Sequence, residues 1–175
     1  MDKTSKLNLN MPNDNDLVTP EDFNVNAAAL EAYVTTLTQV CSAYAPSALA
    51  LAPAWKTVPF GSIVKSGYAF GLSGGGVKLS EGGFVIVDAH LLITGLAAGD
   101  GCGVHIAKNG STFGQYTYTD TGDGGWITVD QTSRLVPVAK NDVITIKVAT
   151  QSRSQGTIDQ EVSWVNVHLY KDLNF

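Results

Sequence analysis

GGFVIVDAHLLITGL, residues 82–96, is the stretch that decides the fold. Nine of its residues are apolar, and Val, Ile and Phe dominate its first half. A continuous apolar run of this kind predicts a central β-strand buried on both faces. Glycines bound it on one side and AAGDG (97–101) on the other, so turns close both ends.

The segments around it repeat the pattern of short strand and turn. WKTVPF (55–60), GYAFGL (67–72) and VKLS (77–80) precede it, with the flexible turn Gly74-Gly75-Gly76 between the last two. CGVHIAK (102–108) and STFGQYTYT (111–119) follow, flanking Asn109-Gly110, a strong hairpin signal because both residues tolerate positive φ. WITVDQTSRLVPV (126–138) predicts a strand that bends near its middle, and VITIKVAT (143–150) another. QSRSQGTIDQ (151–160) is a polar excursion, and EVSWVNVHLYKD (161–172) the closing strand. The fold class expected is mainly β, an antiparallel jelly-roll sandwich over residues 55–175.

Composition agrees. The 175 residues are 44% apolar and only 15% charged, with 18 glycines, which suits an all-β domain. A net charge of −5 without a basic cluster argues against nucleic acid as a partner. No apolar run is long enough to span a bilayer, so no membrane insertion is expected. Residues 1–20 carry no secretory signal core. Cys41 and Cys102 are too few and too scattered for a disulfide framework or zinc site, and read as small buried apolar residues.

Upstream of the sandwich the pattern is different. Residues 1–20 form an extended polar tail, a candidate attachment peptide. Residues 21–45 read as a helix with Thr19 as N-cap, Pro20 in the first turn and Asp22 in the capping-box position. Phe23, Ala27, Leu30, Val34, Leu37, Cys41 and Tyr44 follow each other in steps of four and three, an unbroken coiled-coil seam. The flanking positions are mostly uncharged, and the small Ala27 and Cys41 leave the number of partner helices open. Packing of the helix on its own domain is the alternative. Residues 46–54, between Pro46 and Pro53, read as a small-residue linker.

The order of elements is similar to a known family. GGFVIVDAHLLIT, CGVHIAKNG, SRLVPVAKNDVITIKV and SWVNVHLYKD resemble the globular head of complement component one q, in the tumour-necrosis-factor-like jelly-roll superfamily. Asn141-Asp142 before Val143 and the closing Ser163, Trp164, Leu169, Tyr170 and Asp172 occupy the family's motif positions. Asn166 and Val167 depart from its usual small residue. The resemblance implies a homotrimer and so three helices side by side in the stalk. A trimeric head on a short helical stalk with a polar tail also resembles bacteriophage fibre and receptor-binding proteins.

The chemistry expected is recognition without catalysis. His90, His105 and His168 lie in separate strands without ligand spacing, and no G-x-S-x-G elbow occurs. No cofactor and no metal are expected. Asp100, Asp120 and Asp123 lie in Gly-rich loops and read as turn residues, although loop carboxylates can hold calcium and some members of the resembled family bind it. Aromatics concentrate at Phe113, Tyr116, Tyr118 and Trp126. Tyr116, Tyr118, Trp126 and Arg153 are the candidate receptor-binding residues, with core filling the alternative for the aromatics. The expected protein is a virion component, assembled in the host cytoplasm. Its partners would be two further copies, another virion protein through residues 1–20, and a host-surface carbohydrate. A structural decoration or plug protein, or a bacterial adhesin or lectin of the same fold, is the alternative.

Overall fold

The computed structural model describes residues 2–3, 10–11, 23–28, 30, 38–45, 48–65, 68–113, 117–151 and 156–171. The chain divides into two units, Met1–Thr38 and Gln39–Phe175.

In the first unit, β1 (Asp2–Lys3) pairs antiparallel with β2 (Asn10–Met11), Asp2 opposite Met11. A helix, α1, covers residues 23–28, and residue 30 is also helical. Of the seam, Phe23, Ala27 and Leu30 are helical and exposed. Val34 and Leu37 lie outside the described residues.

The helix expected over 21–45 does not reach its predicted end. Thr38–Tyr44 is a strand, β3, inside the sandwich. Gln39, Cys41, Ala43 and Ala45 are buried, while Val40 and Ser42 are half-buried and Tyr44 is exposed. That is a period of two, which a helix cannot satisfy. Cys41 and Tyr44 point to opposite faces of a sheet and do not belong to a helical seam.

The second unit is a sandwich of two antiparallel sheets. Its further strands are β4 (Leu49–Ala50), β5 (Lys56–Thr57), β6 (Ser62–Lys65), β7 (Phe70–Ser73), β8 (Gly76–Leu79), β9 (Gly83–Leu96) and β10 (Gly101–Lys108). They continue with β11 (Ser111–Thr112), β12 (Thr117–Asp120), β13 (Gly125–Thr132), β14 (Val136–Val138), β15 (Val143–Thr150), β16 (Thr157–Ile158) and β17 (Trp164–Tyr170). The first sheet runs β4-β16-β9-β17-β3-β6, with β13 and β14 on the other side of β9. The second runs β11-β10-β15-β8-β7, with β12 on β10 and β5 on β15. This is a mainly β jelly roll, as the sequence indicates.

Strand β9 is central, but it is buried on one face only. Val85, Val87, Ala89, Leu91 and Ile93 are 0–3% exposed, whereas Ile86, Asp88, His90, Leu92 and Thr94 between them are half-buried. The inward row packs with Val165, Val167 and Leu169 of β17 against Cys102, Val104, Ile106, Ile144, Ile146 and Val148 of the second sheet. Branched aliphatics at every second position let the two sheets interdigitate.

Two further expectations change. The segment 46–54 is no free linker: Leu49 and Ala50 pair with Ile158 and Thr157, and Leu51 is 2% exposed. The polar excursion 151–160 contains β16, whose Thr157 and Ile158 also pair with Thr94 and Ile93. The sandwich therefore starts at residue 39 rather than 55.

The Asn109-Gly110 hairpin forms as expected, Lys108 opposite Ser111, with Asn109 at φ 51° and Gly110 at φ 83°. Asn109 does more than turn the chain. Its Oδ1 accepts from Val143 N (2.9 Å) and its Nδ2 donates to Asp142 Oδ1 (2.7 Å). The hairpin is thus fastened to the start of β15.

Candidate functional site

Among the hollows lined by described residues, one lies on the outward face of each sheet and carries exposed aromatics. The first lies on the second sheet. Tyr118, Gly103 and Ala149 sit abreast on β12, β10 and β15, their registers joined at Gly103. Glycine and alanine leave a shallow floor where large side chains would otherwise stand. Trp55 enters just before β5 and forms one wall. Its ring stacks on His105, two residues along from Gly103, at a centroid distance of 4.3 Å and 29°. Tyr118 forms the opposite wall. Its hydroxyl donates to Gln151 Oε1. A Cβ on Gly101 would strike the Tyr118 ring, so glycine is what lets the phenol cross β10. The cleft encloses about 430 Å³ and is completed by Pro53, Thr150 and Gln151.

His105 anchors this arrangement from below. It is 9% exposed, and its Nδ1 lies 2.8 Å from Thr112 Oγ1. Burial and, secondarily, the Lys147 charge hold its pKa below the usual imidazole value, so the ring under Trp55 is neutral at pH 7.

The second hollow lies on the first sheet and is apolar. His90, Leu92, Thr94, Trp126, Thr128 and Val162 line about 430 Å³. Trp126 is 67% exposed and Val162 44%. Beside it runs a polar row. His90 Nδ1 is 2.6 Å from Asp130 Oδ1 and its ring stacks on Trp164 at 5.6 Å. His168 Nε2 is 3.5 Å from Asp88 Oδ2, and Ser42 donates to Asn166 Oδ1 at 2.6 Å.

The expected receptor residues do not form one cluster. Tyr118 belongs to the cleft on the second sheet and Trp126 to the hollow on the first. Phe113 packs against the core. Tyr116 and Arg153 lie outside the described residues. Trp55, Gly103, Ala149 and Gln151 escaped the sequence reading. Their signal was small residues at outward positions of two otherwise large-residue strands, facing a tryptophan.

Both cysteines are fully buried, as expected. Burial pushes the Cys41 thiol up to about 11 and the Cys102 thiol to about 12. Asp120 is a turn residue, its Oδ1 accepting from Gly122 N at 2.8 Å. Asp100 is 8% exposed and its Oδ2 has no hydrogen-bond partner among the described residues. No group of three His, Cys, Asp or Glu among the described residues could hold a metal. No described helix is long and apolar enough to cross a membrane.

The two sheets and their strand order define an antiparallel jelly-roll sandwich. Murine APRIL at pH 8.5 superposes with a TM-score of 0.59 at 10% identity, covering 75% of this chain and 98% of that one. Murine APRIL at pH 5.0 gives 0.58 at 11% identity, with the same coverage. Eiger TNF from S. frugiperda gives 0.52 at 8% identity, covering 79% of this chain and 95% of the other. No protein-family model and no curated protein sequence matches the chain. At these identities the likeness is one of fold.

Proposed function

We propose that this chain is a non-catalytic binding protein: a homotrimeric fibre component of a bacteriophage virion, whose sandwich attaches to a host-surface carbohydrate. The observation that carries the trimer is the open face of the first sheet. It combines an exposed Trp126 and Val162 with half-buried Ile86 and Leu92, an apolar surface of the kind that other chains cover. The same fold in APRIL and Eiger TNF supports a recognition head rather than an enzyme. The exposed Phe23, Ala27 and Leu30 of α1 support a short stalk joined to the head. The polar segment 1–20 supports docking on another virion protein. Three heads on one stalk let individually weak sites act together.

Light scattering of the full chain at micromolar concentration tests the assembly, and a three-chain mass is expected. A monomer overturns the trimer. Competition by the purified protein against particle adsorption tests recognition. Failure to compete at saturation leaves a decoration or plug protein in its place.

A further inference from the structure

We propose that the cleft between Trp55 and Tyr118 is a saccharide site that takes one neutral pyranose ring against its aromatic walls. The proposal rests on the receptor reading above and names its site.

Three observations carry it. First, the described lining offers aromatic rings, small residues and an amide, a set of groups that recognises a ligand with both an apolar face and hydroxyls. Second, its walls and its edge have different chemistry. Trp55 is 45% exposed and Tyr118 40%, giving accessible aromatic surface. Gln151, exposed and on the same outward parity as Ala149, supplies an amide at the rim. A pyranose has the matching division: axial C–H bonds form an apolar face, and hydroxyls ring its equator. A purely apolar ligand would leave the rim amide unsatisfied.

Third, both walls are held before any ligand arrives. Trp55 rests on the buried His105 at 4.3 Å, and the Tyr118 hydroxyl is tied to Gln151 Oε1. Fixed aromatics lose little conformational entropy on binding. With Oε1 engaged, the Gln151 amide is oriented, and its Nε2 has no partner among the described residues and can donate to a sugar oxygen. The floor at Gly103 and Ala149 carries no side chain larger than a methyl. The hollow at Trp126 has one exposed aromatic, Trp126, rather than two aromatic walls, which separates the two surfaces chemically.

The test is an NMR titration of the full chain with methyl glycosides of glucose, galactose and N-acetylglucosamine, following the three indole N–H signals. Trp55→Phe assigns the reporter. At least one glycoside is expected to shift the Trp55 signal at millimolar concentration and leave Trp126 and Trp164 in place. Trp55→Ala, followed through the Gly103 and Gln151 backbone amide signals because it removes the indole reporter, should abolish binding, and Gln151→Ala, followed through the Trp55 indole, should weaken it roughly tenfold. Ala149→Val, which raises the floor without touching either wall, should weaken it similarly. No shift with any glycoside, or wild-type affinity in Trp55→Ala and Ala149→Val, overturns the proposal. Adsorption competition with the same variants separates the two readings. If Trp55→Ala still competes like wild type, recognition stands and the cleft is the wrong place. If wild type does not compete either, the receptor reading falls as well.

Discussion

Asp142 ties three segments together, and removing its carboxylate should be felt by the whole sandwich. Oδ2 accepts from Ala139 N at 2.8 Å and Oδ1 from Asn109 Nδ2 at 2.7 Å, with Lys108 Nζ 3.9 Å away. The side chain is only 14% exposed. Hydrogen bonds to a charged group contribute about 1.5–3 kcal/mol each. Both donors lie near solvent and recover part of that from water, so Asp142→Ala should cost about 2–3 kcal/mol in total. For a chain of this size that lowers Tm by roughly 4–12 °C. The pH dependence supplies a second signature. Chiefly the Ala139 N–H, then the Asn109 amide and Lys108, hold the Asp142 pKa below its ordinary 3.8 against the opposing effect of burial. Because the folded value is depressed, this stability is fully present above about pH 4 and is lost as pH falls through the folded value. Urea melts of wild type and Asp142→Ala should therefore converge as pH drops from 5 towards 2. A cycle with Asn109→Gly, which keeps the positive φ of 51°, should show a coupling of about 1 kcal/mol between the two side chains. A loss below about 0.5 kcal/mol, or parallel pH profiles, would refute the reasoning.

Three further expectations follow from the fold. The buried thiols of Cys41 and Cys102, with pKa values near 11 and 12, should resist an aromatic disulfide reagent at pH 8 and both react once urea unfolds the chain. Fast reaction of one thiol in the native protein contradicts its burial. Gln39 is 6% exposed and its Oε1 accepts from Ala69 N at 3.0 Å, so Gln39→Leu should strand that N–H and cost about 1–3 kcal/mol by denaturant melting. A neutral result would argue against β3 as a core strand. Leu30→Asp, on the exposed α1, should leave the sandwich's melting midpoint unchanged at high dilution and reduce the proportion of three-chain species in light scattering; unchanged mass removes α1 from the stalk interface.

The sheets were readable where alternation and turn chemistry were strong. The bounds of β15 match VITIKVAT, because Asn141-Asp142 and the polar Gln151 punctuate it sharply. The bend expected in 126–138 is the gap between β13 and β14, where Ser133 leaves the ladder and its hydroxyl accepts from Val87 N at 2.8 Å. Strand β3 was misread for a physical reason. Cys41 and Tyr44 continue the spacing of Phe23, Ala27 and Leu30 by coincidence, and small residues at 41, 43 and 45 mute the alternation. Long-range pairing with β17 and β6 then overrides the local pattern. Leu49 and Ala50 likewise look like linker because their pairing with Ile158 and Thr157 is only two residues long and comes from more than a hundred residues away in the chain. The cleft was half legible: Tyr118 stood out as an aromatic in a strand. Trp55, Gly103, Ala149 and Gln151 come together only through the registers of β10, β12 and β15, which sequence spacing does not reveal.

The placement of β3 has a mechanical consequence. It is the first strand of the sandwich, and it lies between β6 and the last strand, β17. Tension arriving through residue 38 along the strand pulls lengthwise on hydrogen bonds to both neighbours at once. Cys41, Ser42, Ala43 and Tyr44 face Lys65, Val64, Ile63 and Ser62, so this ladder must shear as a group rather than peel one bond at a time. A pull entering through residue 38 would load the domain in its stiff direction.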